Sequence, residues 1–222
     1  MLDSDQVTQA LCAADPKFAP LIERAGPYRL QIEQLQSPFQ ALAESIVYQQ
    51  LTGKAAATIH GRLVALFPGK RLSPQRLLLT HHRRLRSAGL SRAKVLALKD
   101  LAAKTIDGTV PTMRRLQEMP DAEIVEHLTA VRGIGQWTVE MLLIFRLGRP
   151  DVLPVTDYGV RKGYARIFGG GRLPSPKYLA RRGERWRPYR TVASWYLWRA
   201  VDFVNSTPGS EPPTPEHIGP NA

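Results

Sequence analysis

Cysteine is nearly missing from this sequence: Cys12 is the one thiol in 222 residues. One thiol closes no internal disulfide, and it holds neither a four-cysteine iron–sulfur cluster nor a CxxC zinc site. The five histidines, His60, His81, His82, His127 and His217, include no pair at a metal-binding helical spacing, which argues against a His-based zinc centre. No apolar run reaches the roughly 18 residues that a membrane span needs. The opening residues MLDSDQV are acidic and polar rather than a secretory signal. The expectation from these absences is a reduced, cytoplasmic protein without a structural metal. Acidic residues are also scarce, with 19 Asp and Glu against 31 Lys and Arg, a net charge of +12. Ser206–Ala222 contains no Lys or Arg and two acids, so residues 1–205 carry 31 bases against 17 acids, a net +14. An excess of that size points to a polyanionic partner, most simply nucleic acid. A solubility device or a ribosomal-type protein fits the charge as well.

What is present is helical punctuation. Hydrophobic residues make up 43% and charged residues 23%, the balance of a folded protein. Asp15-Pro16, Ser37-Pro38, Ser73-Pro74 and Ser175-Pro176 each place a capping oxygen before a proline, which suits the first helical turn because it needs no N–H there. Apolar residues follow at helical spacing: Phe39, Leu42, Ile46; then Ile59, Leu63, Leu66; then Val95, Leu98, Leu101 after Ser91. Further helices are expected over roughly 121–128, 135–147, 158–168 and 189–204. Only Tyr28–Leu35 alternates, and it is too short for a sheet of its own. The expected fold is all-α, about nine or ten helices with short loops and no internal repeat. Gly169-Gly170-Gly171 reads as a flexible joint, and the proline-rich Ser206–Ala222 as a disordered tail.

Four segments carry candidate chemistry. In the first, Leu128–Thr138, glycines at 133 and 135 allow a tight turn between two helices, and the amides opening the second helix suit a phosphate oxygen. This is a helix–hairpin–helix pattern spanning about 121–147; a plain αα-corner has the same spacing. The second, Leu153–Lys162, places Asp157 before a helical run, where an aspartate is most often an N-cap. The third, Ile46–Ala57, sets Gln49, Gln50 and Leu51 at a helix junction. Glutamine can bond base edges and leucine can fill a gap in a base stack, or the three are a polar helix end with Leu51 in the core. The fourth, Arg185–Arg199, puts Trp195 and Trp198 on one helical face, a spacing that also suits a core.

Together these four segments resemble the helix–hairpin–helix (HhH-GPD) DNA glycosylases of base excision repair, most closely the alkylpurine branch of the AlkA type (3-methyladenine DNA glycosylase II). The likeness runs from about Asp15 to Phe203. Arg86–Lys94 also resembles the family's segment between wedge and hairpin. The resemblance implies a two-lobed fold with a central cleft and a catalytic aspartate at Asp157. It implies a base pocket at Trp137, Trp198, Met141 and Tyr48, with Met141 standing where the family has an aromatic. Gln49, Gln50 and Leu51 take the probe and wedge positions, and Gly133, Gly135 and Thr138 the DNA backbone. The carbonyls of Thr129, Val131 and Ile134 match positions that hold a monovalent cation, Na+ or K+; no other cofactor is expected.

Trp137 stands where bifunctional relatives carry a Schiff-base lysine. The resemblance therefore implies a monofunctional enzyme that uses water. The implied partner is double-stranded DNA with damaged bases, and the expected form is a monomer, compact in lacking the β-rich domain that precedes the helical core in the AlkA-type enzyme. A glycosylase for oxidised or mismatched bases and a non-catalytic DNA-binding module are the rival readings.

Overall fold

In the computed structural model, residues 3–33 and 37–205 are described, with the backbone alone at 204 and 205. The tail expected at Ser206–Ala222 lies outside the described residues. Thirteen α-helices run through them: α1 Ser4–Ala14, α2 Ala19–Ala25, α3 Pro38–Tyr48, α4 Gly53–Ala65, α5 Pro74–Leu79, α6 His82–Ser87, α7 Arg92–Ile106, α8 Met113–Glu118, α9 Asp121–Thr129, α10 Gln136–Phe145, α11 Tyr158–Ile167, α12 Pro176–Gly183 and α13 Arg190–Asn205. The described residues contain no strand. The count exceeds the sequence expectation: α6 and α8 have six residues each, too short to show a helical period, and α1 is not among the expected segments. None of the helices is long and apolar enough to cross a membrane.

Local capping accounts for many boundaries. Ser37, Ser73 and Ser175 each accept the amide three residues on, with proline in the first turn. Asp15 departs from that expectation. Its side chain makes no cap; it meets Arg182 at 2.7 Å and Arg185 at 3.8 Å, and Pro16 opens a short 3-10 turn instead. A buried carboxylate gains more from a charge-assisted guanidinium bond than from one amide. The glycine run is also not a loose joint. The amides of Gly169 and Gly171 bond back to Ala165, and Gly170 and Gly171 take φ of +55° and +87°, so the run closes α11 as a turn.

The chain divides into two compact units, which are, among the described residues, 37–139 and 3–33 with 140–205. In the first, α7 packs against α3 and α5. Leu42, Ile46, Leu77, Leu98 and Leu101 are all fully buried there, each stabilising by about 1.5–3 kcal/mol. In the second, α11 packs along α13. Phe18, Phe168, Trp186 and Tyr164 form an aromatic cluster beside them, with centroids 5.0–6.2 Å apart. Residues 27–33 run without helix or strand; Glu33 N–H donates to the Phe145 carbonyl at the end of α10.

Candidate functional site

In the unit of residues 3–33 and 140–205, the chemistry gathers where α11 meets α13. Asp157 is the N-cap of α11, and its Oδ1 accepts the Val160 amide at 2.7 Å. The same oxygen accepts the Trp198 indole N–H at 2.9 Å. Asp157 is 9% exposed and Trp198 5%. Two donors therefore fix the carboxylate's orientation, and Asp157 is a cap and something more. The Trp198 ring stacks on Phe145, with centroids 5.6 Å apart at 27°. Gly159 makes this arrangement possible, because a Cβ there would stand 2.8 Å from the indole Cδ1. Met141 is half-buried on α10, one turn before Phe145.

The loop leading to Asp157 is held by the start of α13. Arg190 grips Asp151 through Nε at 2.7 Å and a second nitrogen at 3.0 Å. Thr191 Oγ1 donates to the Arg149 carbonyl and accepts the Val152 amide, and Ser194 Oγ donates to the Val152 carbonyl. Paired, bidentate contacts of this kind leave a loop little freedom.

In the unit of residues 37–139, the turn after α9 carries Thr129, Val131, Gly133, Ile134 and Gly135. Gly133 has φ +79°. A Cβ there would be strained and would press on the Ala97 methyl at 3.3 Å. Gly135 O accepts the amides of Thr138 and Val139, so α10 starts there, and the first amides of a helix point outward from its end. The Thr138 side chain is buried. Main-chain carbonyls such as those of Thr129, Val131 and Ile134 are hard oxygen donors, a set that suits a group-1 cation by chemistry. Trp137 is half-buried on the first turn of α10.

The hairpin turn is braced by α7. Asp100 Oδ2 accepts the Arg132 amide at 2.7 Å and the Lys104 ammonium at 2.7 Å. Burial acts to raise the Asp100 carboxyl, but these donors outweigh it and hold it below the ordinary aspartate value. Gln49, Gln50 and Leu51 leave the end of α3. Gln50 is exposed with φ +57°, a left-handed backbone that costs a residue with a Cβ. Gln49 turns its amide to the Gly133 carbonyl at 2.9 Å. Tyr48 packs edge-on to His60 at 6.2 Å, and burial followed by the Glu44 charge raises its phenol.

Sequence reasoning passed over one plain signal. Residues 45–99 hold eleven Lys and Arg and no Asp or Glu. Lys94 and Lys99 turn their ammonium groups to main-chain carbonyls. The other nine are exposed and, among the described residues, make no ion pair. A running charge count along the chain finds this stretch. Lys94, Asp100, Phe145, Gly159 and Gly163 leave no such trace, since their roles rest on partners distant in sequence.

Residues 43–188 match the family model described as HhH-GPD superfamily base excision DNA repair protein. DNA-3-methyladenine glycosylase 1 of Schizosaccharomyces pombe is 34% identical over 199 residues, which span 89% of this chain and 87% of that protein. The crystal structure of a DNA-3-methyladenine glycosidase from Bacillus halodurans superposes with a TM-score of 0.82 at 37% identity, over 90% of this chain and 91% of that one. The S. pombe 3-methyladenine DNA glycosylase in complex with abasic DNA superposes with a TM-score of 0.79 at 32% identity, over 91% and 99% of the two chains.

Proposed function

The chain belongs to the HhH-GPD superfamily of base excision DNA repair proteins, and from that membership we propose that it is a monofunctional DNA glycosylase. Its reaction is hydrolysis of the N-glycosidic bond of alkylated bases, 3-methyladenine and 7-methylguanine among them, in double-stranded DNA. The observation that carries this reading is the Asp157 carboxylate, fixed by the Val160 amide and the Trp198 indole in a nearly closed setting. The names of the similar proteins support the substrate class.

The roles follow from the chemistry. Cleaving the bond leaves an oxocarbenium-like sugar, and a carboxylate held in place opposes that positive charge and orders the attacking water. An alkylated purine already carries positive charge, so it leaves with little general-acid help. Trp137, Trp198, Met141 and Tyr48 take the base-pocket role; a cationic base on an aromatic face gains about 0.5–2 kcal/mol per ring. Gln50 and Leu51, with Gln49 beside them, occupy the gap left by the extruded nucleotide. Gly133, Gly135 and Thr138 hold the DNA backbone at the hairpin. Thr129, Val131 and Ile134 would hold a monovalent cation, which supplies positive charge toward a DNA phosphate. No other cofactor enters. The protein works as a monomer in the cytoplasm, and the acid-free stretch at residues 45–99 favours approach to DNA at low salt.

The test is incubation with duplexes carrying one defined lesion each, followed by chromatography of the released bases and a borohydride trap. Free alkylated base, an intact abasic strand and no protein–DNA adduct are expected, because an indole at position 137 has no amine to form a Schiff base. A trapped adduct sinks the monofunctional assignment. Failure to release any alkylated base, with binding retained, leaves a DNA-binding module.

The hairpin has its own test. Binding to undamaged duplex weakens with salt, log K falling by roughly 0.9 per unit log[salt] for each phosphate neutralised. Gly133→Asp adds a Cβ at φ +79° and a negative charge beside the phosphate. Affinity drops about 10-fold on every sequence alike. A folded Gly133→Asp protein with wild-type affinity reduces the turn to an αα-corner.

A further inference from the structure

Lys94 lies on the first turn of α7, and its side chain reaches the end of α3. Its Nζ is 2.7 Å from the Val47 carbonyl and 2.8 Å from the Gln49 carbonyl. The last carbonyls of a helix have no amide to receive and carry partial negative charge, so an ammonium group satisfies both needs at once. Burial lowers this ammonium from its ordinary value, and with it the group's hydration.

The next residues are Gln50 and Leu51. The left-handed backbone of Gln50 persists only where its surroundings hold it. Lys94 holds the entry to this turn by two carbonyls. The Gln49 amide holds it from the other side, on the Gly133 carbonyl. Six residues further along α7, Asp100 holds the Arg132 amide in the hairpin. One helix therefore carries the brace for each of the two elements.

We propose that Lys94 is a positioning residue for base displacement: through the Val47 and Gln49 carbonyls it keeps Gln50 and Leu51 in the conformation that fills the emptied base stack. This rests on the glycosylase reading above. The alternative is that Lys94 only stabilises the fold. Lys99 provides the comparison, because its ammonium bonds the Leu78 and Thr80 carbonyls at the end of α5, which carries no wedge.

The experiment measures single-turnover release of 7-methylguanine from two substrates. In one the lesion is paired within a duplex; in the other it lies in a single-nucleotide bulge, where most of the unstacking is already done. Lys94→Met lowers release from the paired duplex on the order of 10-fold and from the bulge less than about 3-fold, since only the first demands full displacement of a stacked base. Lys94→Arg restores the paired rate. Lys99→Met leaves the paired-to-bulged ratio at the wild-type value. A folded Lys94→Met protein with an unchanged ratio overturns the proposal.

Leu51→Ala separates this proposal from the reading beneath it. If Leu51→Ala loses paired release and Lys94→Met does not, the wedge stands and the positioning role falls. If the wild-type protein releases no base from either substrate, the glycosylase reading falls and takes this one with it. Should Lys94→Met not fold, Lys94→Gln, shorter and uncharged, takes its place, and an unchanged ratio in that folded variant overturns the proposal equally.

Discussion

Asp157→Asn stays folded and releases alkylated base about 100- to 1000-fold more slowly, the usual cost of one preorganised electrostatic group. The geometry makes this substitution unusually clean. One oxygen, Oδ1, accepts both the Val160 amide and the Trp198 indole N–H. An asparagine with its oxygen in that place keeps both bonds, and asparagine caps helices about as well as aspartate. What the substitution removes is the charge that opposes the oxocarbenium-like sugar. Affinity for lesion DNA persists or tightens, because a negative group near phosphates is gone. Single-turnover release, affinity for the same duplex and thermal melting decide the matter together. Near wild-type release removes Asp157 from the chemistry. Parallel losses of release, affinity and melting temperature return it to a helix cap.

Gly163→Ala has the largest expected effect on stability. A Cβ at Gly163 would lie 1.9 Å from the Leu197 carbonyl oxygen and 2.6 Å from its carbon. Both are main-chain atoms of α13, so no side chain can swing aside. The two helices must separate, and the pair that bridges them, Asp157 on α11 and Trp198 on α13, separates with them. Overpacking of this kind costs about 3 kcal/mol or more. In a chain of this length that is a drop of about 6–12 °C in melting temperature. Base release falls as well, beyond what partial unfolding explains, because the indole no longer orients the carboxylate. A melting temperature within about 2 °C of wild type shows that the helices separate freely and that this crossing does not position the site.

Much of this protein is legible in its sequence, for a definite reason. Caps act over three residues and helical periods over four, so Ser37, Ser73, Ser91 and Ser175 announce α3, α5, α7 and α12 with no knowledge of the rest. The later helices begin and end within about two residues of where their periodicity places them. The tight turn between α9 and α10 was legible from the two glycines, and the structure shows that only Gly133 of the two takes a positive φ, +79°. The charge was legible because it is a sum.

Other features needed the folded chain. Asp15 has the local signature of a cap, yet tertiary structure assigns its carboxylate to Arg182, 167 residues away. Gly169-Gly170-Gly171 has the composition of a flexible joint, yet it closes a helix by bonds back to Ala165.

The site shows the same division. The sequence by itself determined an all-helical class and a basic charge excess, because those depend on short-range pattern and on composition; it singled out Asp157 only through the family resemblance. Tertiary structure alone decided that Trp198 bonds Asp157 across 41 residues and that Lys94 bonds the Val47 carbonyl at the end of α3 across 47. It alone showed that Gly163 must be glycine for α11 to touch the backbone of α13. A hydrogen bond of that kind forms only after two helices have packed, and no local propensity of either residue encodes which partner the packing will bring.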